Sequence, residues 1–234
     1  MKLINIADEG AGYKAQLYEL YDNAFPEQEK KPLHVMEQLV NDGKMEMLAM
    51  VDEDEFVGLA INMISGDRVL LDYYAIAPEK RSCGYGSKGL EVLLAHFENQ
   101  KYIFEIETQD EKAENAEDRR RRKAFYLRNG LKETGLSANV YHTDFEILTP
   151  DGELSFQEYV DFLREVLDEE YVQMLRPTLI SESYGRTHCF SLSGCMLFCI
   201  SGRFCGFDRR RRRADFTSGL YDRRSAGAYS DRNK

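Results

Sequence analysis

Residues 79–97 read EKRSCGYGSKGLEVLLAHF, and the fold turns on how this stretch is read. Arg81 precedes two glycines set two apart, Gly84 and Gly86, and an amphipathic helix follows without a gap, predicted from Ser87 to about Asn99. A strand that runs into a glycine-bearing turn and then a helix leaves unpaired backbone N–H groups at the positive end of the helix dipole. The natural occupant of such a turn is a phosphate or pyrophosphate. Gly84 and Gly86 would let it approach closely, and Lys80, Arg81 and Lys88 would add cations. The lysine of a P-loop is missing from its required place. The G-x-G-x-x-G dinucleotide pattern is met only in part, at Gly84, Gly86 and Gly89.

Upstream, strand-like KLINI is followed by Leu17, Leu20, Tyr21 and Ala24 at helical spacing, a helix that stops at Phe25 and Pro26. Pro32 opens a second helix carrying Leu33, Met36, Leu39 and Val40, which Gly43 ends. The period then changes to that of strands. MEMLAMV, FVGLAINMI and RVLLDYYAIA, separated by DEDE and SGD, predict an antiparallel meander ending at Pro78. A Rossmann unit is excluded, because its fingerprint follows the first strand. Downstream, the length of the helical crossover makes YIFEIE parallel to RVLLDYYAIA. A charged helix over about Ala113 to Asn129 stops at Gly130, and LKETGLSANVYHTDFEIL predicts a hairpin. Ser155 and Glu158 form a capping box for a helix whose Phe156, Tyr159, Val160, Leu163, Val166 and Leu167 make an apolar face. The expected architecture is α/β (α+β): a mixed, mostly antiparallel sheet with helices on both faces.

Charge divides the 234 residues unevenly. Up to Arg176 there are 20 Lys and Arg against 36 Asp and Glu, a balance of −16; from Pro177 onward there are 11 against 5, a balance of +6. Four of the five cysteines (Cys189, Cys195, Cys199, Cys205) also lie in the basic part. Such a shift marks a boundary. No apolar run approaches the ~20 residues needed to span a bilayer. The N-terminal MKLINIADEG lacks the apolar segment and cleavage site of a signal peptide, so a cytoplasmic protein without a membrane partner is expected.

Two segments, AIAPEKRSCGYGS and AFYLRNGL, together resemble the signature segments of the GNAT N-acetyltransferase superfamily. Its acetyl-coenzyme A motif, R/Q-x-x-G-x-G/A, is matched by Arg81, Gly84 and Gly86. Its later Tyr-x-x-x-Gly-Phe motif is matched by Tyr126 and Gly130, with Leu131 in place of the aromatic. The order of elements agrees over about 1–150. The resemblance implies an acyl-CoA N-acyltransferase fold in which the fourth and fifth strands splay apart. It also implies acetyl-CoA as co-substrate, with its pantetheine on the backbone of Tyr74, Ala75 and Ile76 and its pyrophosphate on Arg81, Ser82, Cys83, Gly84, Tyr85, Gly86 and Ser87. A primary amine then attacks the thioester directly. The resemblance sets Tyr126 near the leaving sulfur as the acid; read from its neighbours alone, Tyr126 is equally a packed tyrosine beside Phe125.

The amine must lose a proton first, and Glu105 and Glu107, two apart on YIFEIE, share one strand face. Either is a candidate base, against the plainer reading of exposed glutamates on a half-buried strand. Cys83 lies inside the phosphate turn with no histidine near it in sequence, His96 sits mid-helix, and the cysteines form no C-x-x-C pair, so neither a thiol nucleophile nor a metal site is expected. Arg119 to Arg122, among acidic neighbours, read as a solvated helix face rather than a nucleic-acid contact.

The organisation expected is an acetyltransferase domain over 1–150, a helical extension packed on it over 151–176, and a basic tail over 177–234. The tail is read as non-native (a frameshift or vector sequence), as disordered, or as a basic arm centred on Arg209 to Arg213. The function expected is transfer of acetyl from acetyl-CoA to a small-molecule or peptide amine, cationic by attraction to the −16 domain. The alternative is a catalytically silent CoA-binding sensor acting through a partner. A homodimer is compatible with either.

Overall fold

The structure is a computed structural model and describes residues 1–7, 12–27 and 29–182. The basic tail read from composition lies outside the described residues from residue 183 onward. In chain order the elements are β1 (Lys2–Asn5), α1 (Lys14–Ala24), α2 (Leu33–Asn41), β2 (Met45–Asp52), β3 (Glu55–Ser65), β4 (Arg68–Ile76), α3 (Tyr85–His96), β5 (Lys101–Glu107), α4 (Ala116–Arg128), β6 (Lys132–Val140), β7 (Thr143–Thr149), α5 (Phe156–Val166), α6 (Glu169–Leu175) and β8 (Thr178–Glu182). Periodicity located the first twelve; the short α6 and β8 are additions. Thr178–Glu182, assigned by composition to the tail, pair antiparallel with β6.

The eight strands form one sheet in the order β1-β2-β3-β4-β5-β7-β6-β8. The β4–β5 pair is parallel and the other neighbours are antiparallel. Alternation along the strands sorts the core between the two faces. On one, Leu70, Tyr73, Ala75 and Ile103 pack with Leu17, Leu20 and Tyr21 of α1, Met36 of α2, Tyr159 and Leu163 of α5 and Val172 of α6. On the other, Leu71, Tyr102, Phe104 and Ile106 pack with Leu90 and Leu93 of α3 and Tyr126 of α4. Helices therefore cover both faces.

Two local features open the sheet at its centre. The parallel ladder between β4 and β5 has only four rungs, Arg68↔Lys101 to Leu71↔Phe104. Beyond it β4 stays on β3 as far as Ile76, and β5 stays on β7 as far as Glu107. In addition, β3 pairs Asn62 with Leu71 but Ile61 with Tyr73, so Asp72 is the extra residue of a β-bulge. The bulge turns Asp72 toward the same side as Tyr73 and strengthens the local twist just where the strands part.

The predicted capping box of α5 is present: Ser155 Oγ accepts from the Glu158 amide, and Glu158 Oε2 accepts from the Ser155 amide at 2.8 Å. These backbone and hydroxyl hydrogen bonds hold the Glu158 carboxyl below its ordinary range. The stabilisation is therefore present above the unfolded carboxylate pKa and is lost as pH falls through the folded value. Ser155→Ala should cost about 1 kcal/mol, read as a lowered melting temperature at pH 7; an unchanged melting curve would show that the cap is dispensable.

Candidate active site

The phosphate turn begins where β4 ends. A single 3₁₀ turn, Pro78–Lys80, leads into Ser82 (φ 63°) and Gly84 (φ 83°), both left-handed. Gly84 is the N-cap of α3, which starts at Tyr85 rather than Ser87 as the sequence suggested, because a left-handed residue is a natural break at which right-handed helix begins. Loop and cap hydrogen bonds resume at Ser87 and Lys88, both donating to Gly84 O. The amides of Ser82, Cys83, Gly84, Tyr85 and Gly86 donate to no backbone carbonyl among the described residues. A Cβ on Gly84 would meet nothing within 4 Å. The residues present thus fit a diphosphate: five amides without a backbone acceptor among the described residues, a helix N-terminus, and open space beside Gly84.

The glycines and cations around this turn divide their roles. Gly86 packs against Phe125, and Gly89 makes room for the Tyr74 hydroxyl, which donates to Gly86 O at 2.6 Å. Gly89 is thus a packing residue between α3 and β4 and not part of a dinucleotide fingerprint. Arg81 Nε donates to Ile76 O at 3.1 Å, Lys80 pairs with Glu55, and Lys88 lies 5.2 Å from the Tyr85 ring centroid. Cys83 is exposed. A groove lined by Ser87, Lys88, Glu91, Arg128 and Gly130 continues from the turn between α3 and the end of α4.

Tyr126 lies on α4 over the opening between β4 and β5. Its ring centroid is 5.5 Å from that of Phe104 and 5.3 Å from that of Phe125. Its hydroxyl has no hydrogen-bond partner among the described residues. Burial pushes the phenol up to about 12, so it is protonated at working pH. Tyr74 is partly buried beside it, and that burial raises its phenol as well.

The two candidate glutamates part company. Glu107, at the end of β5, is bound by Arg119 at 2.8 Å and by Arg122 at 3.0 Å, with Asn115 adding contacts. Arg119 is therefore turned partly inward, a correction to the solvated face read from sequence, while Arg122 reaches Glu107 from an exposed position. Arg120 and Arg121 do pair with Glu117 on the helix surface. Arg119, Arg122 and Tyr126, at i, i+3 and i+7, share one face of α4, and the role that the resemblance implied for Tyr126 was the available sign that the face points in.

Glu105 lies on the other side of the sheet, where Tyr159 of α5 donates its hydroxyl to Oε1. Around it are groups that sequence reasoning did not single out. Lys31, between α1 and α2, places Nζ 2.8 Å from both oxygens of Asp72 and 5.3 Å from the Tyr73 ring centroid. Burial pulls the Lys31 ammonium down, and Asp72, Tyr171 and Glu105 together more than offset it, so its pKa is raised. Burial pushes the Glu105 carboxyl above its ordinary range, opposed by the Tyr159 hydrogen bond.

Among the described residues no cluster of three or more His, Cys, Asp or Glu could hold a metal, and no helix is long and apolar enough to cross a membrane. No curated protein matches the chain. Among solved structures, it is similar to one described as an acetyltransferase of the GNAT family from Bacteroides thetaiotaomicron, with 20% identity and TM-score 0.57, covering 70% of this chain and 94% of that one. It is also similar to an aminoglycoside 6′-N-acetyltransferase from Enterococcus faecium (17%, TM-score 0.49, 64% and 96% covered). A third is a spermidine N-acetyltransferase from Vibrio cholerae in complex with CoA and spermine (12%, TM-score 0.46, 63% and 93% covered). The family model for the acetyltransferase (GNAT) family matches residues 14–130, from α1 through the glycine turn to the end of α4, and the chain belongs to that family.

Proposed function

We propose that the protein is an acetyl-CoA-dependent N-acetyltransferase that acts on a primary amine in a cytoplasmic setting. The observation that carries this reading is the opening of the sheet beyond Leu71 and Phe104. The amides of residues 82–86, without backbone acceptors among the described residues, follow the end of β4, and Tyr126, whose hydroxyl has no partner among the described residues, packs on Phe104 at the last parallel rung. Acetyl-CoA supplies an activated acyl group as a thioester. Backbone of Tyr74, Ala75 and Ile76 along the opened β4 edge holds the pantetheine arm and polarises the acyl carbonyl, a small oxyanion hole. Amides of Ser82 to Gly86 hold the diphosphate, with Arg81 and Ser87 flanking them and Cys83 and Tyr85 contributing main chain.

The acceptor amine attacks the thioester carbonyl as its proton leaves to a carboxylate, and Tyr126 protonates the departing sulfur. Neutralising a lysine-like amine at pH 7 costs about 4.6 kcal/mol, which is why a base is needed. Glu105 suits that role better than Glu107, whose two oxygens are held by Arg119 and Arg122. The −16 balance up to Arg176 favours a cationic acceptor, a polyamine, an aminoglycoside or a lysine side chain.

The test is CoA binding by calorimetry together with thiol release from acetyl-CoA over a panel of polyamines, aminoglycosides and lysine peptides. Acceptor-dependent release is the expected result. Binding without release across the panel would leave a silent CoA sensor, and a chain that binds no CoA would defeat both readings.

A further inference from the structure

The point where β4 and β5 part is built, on the face away from the glycine turn, from charged groups rather than apolar ones. Asp72 is the first β4 residue beyond the last parallel rung, and Glu105 is the first of β5. Both oxygens of Asp72 are engaged, since Lys31 Nζ lies 2.8 Å from each. Those of Glu105 are not both engaged. Its Oε1 accepts from Tyr159, Oε2 has no hydrogen-bond partner among the described residues, and the residue is only half-buried. Tyr159 itself is fully enclosed, with 0% exposure. It is carried by α5, beyond the 14–130 span that the family model matches.

We propose that Tyr159 and the Lys31–Asp72 ion pair position and tune Glu105 as the base that takes the acceptor's proton, so that α5 is part of the active site. This rests on the acyl-transfer reading above. Tyr159 fixes the carboxylate by one oxygen and leaves the other, with its free lone pairs, for an N–H at the strand opening. Lys31 offsets Asp72, whose charge would otherwise push the Glu105 carboxyl further up and leave it protonated before the amine arrives. Tyr73 of β4 lies beside Lys31, with Tyr21 of α1 packed on its ring. Tyr171 of α6 lies close enough to raise the Lys31 ammonium further. The glutamate's elevated proton affinity follows from its burial first; Asp72 adds to it, while Tyr159 and Lys31 oppose it.

Each neighbour therefore has a sign. Tyr159→Phe removes a hydrogen bond to the carboxylate, and Lys31→Met removes a cation; both should move the acid limb of kcat/KM to higher pH. Asp72→Asn removes an anion and should move it to lower pH. For Tyr159→Phe, a hydrogen bond to a charged group implies roughly a tenfold loss of kcat/KM near pH 6 that closes at alkaline pH. The Glu105 carboxyl is titrated first by 13C NMR of the full-length, glutamate-labelled chain, assigned with Glu105→Gln, which needs no acceptor. Activity profiles with the best amine of the panel follow. Opposite displacements for Asp72→Asn and the other two, seen by both methods, are the expected result. A uniform loss of activity with every midpoint unmoved would make these residues structural only and overturn the proposal. Midpoints that move while the activity limb stays put would overturn Glu105 as the base. If the wild type acetylates no amine, acyl transfer and the base assignment fall together, and NMR midpoints that still move identify that case.

Discussion

Tyr126→Phe is expected to lower kcat by roughly 100-fold while leaving the Kd for CoA within about twofold of wild type. The substitution keeps the ring and hence its packing on Phe104 and Phe125. What it removes is a hydroxyl that bonds to nothing else among the described residues, so the change carries little structural cost. A thiolate leaving without a proton is a poorer leaving group than a thiol, and the loss should fall on turnover rather than on binding. Burial pushes the phenol up to about 12, so it stays protonated through the range in which the enzyme can be assayed. The kcat profile should accordingly show no alkaline fall due to this group below that value. Thiol-release kinetics and calorimetry on the two proteins check both points; equal turnover would remove Tyr126 from the reaction.

Gly58→Ala should be the most damaging single methyl in the strands that form the site. Gly58 sits on β3 opposite Ile76, next to a register shift in its pairing with β2. A Cβ there would overlap the Ala75 carbonyl oxygen, come within 2.8 Å of Met50 Cε and lie 3.1 Å from Ile76 Cα. Met50 can turn away, but Ala75 and Ile76 are main chain and can yield only if β4 moves. Overpacking of this kind costs about 3 kcal/mol, a fall in melting temperature of roughly 6–12 °C for a domain of this size. Because Ala75 and Ile76 form the edge proposed to hold pantetheine, CoA affinity should fall with it. A variant that melts within about 2 °C of wild type would show that the strands have slack here.

The glycine turn was legible because its signal is local. A left-handed Gly84, a helix start and a crossover long enough to force parallel pairing all lie within some thirty consecutive residues. The helix faces and the Ser155 cap were legible for the same reason, since a period of 3.6 and a four-residue box need no distant partner. Glu105 and Glu107 show where local reasoning stops. Strand alternation gave them one face, but the end of β5 reaches α4, so Arg119 and Arg122 claim Glu107 while Tyr159 claims Glu105. Lys31 and Asp72 carried no mark in sequence. They meet across 41 residues, and the bulge that aims Asp72 is a property of its pairing with β3 and not of its neighbours in the chain.

Sequence by itself determined the family, the order of elements along the chain up to the hairpin, and a glycine turn at the head of a helix, because each depends on spacing along one stretch of chain. Tertiary structure alone decided which carboxylate is left with a free oxygen, which cation is already spent on an acid, and that α5 reaches the strand opening. Those are outcomes of through-space pairing, and through-space charge and hydrogen bonding are set by where the bulged and parted strands come to lie.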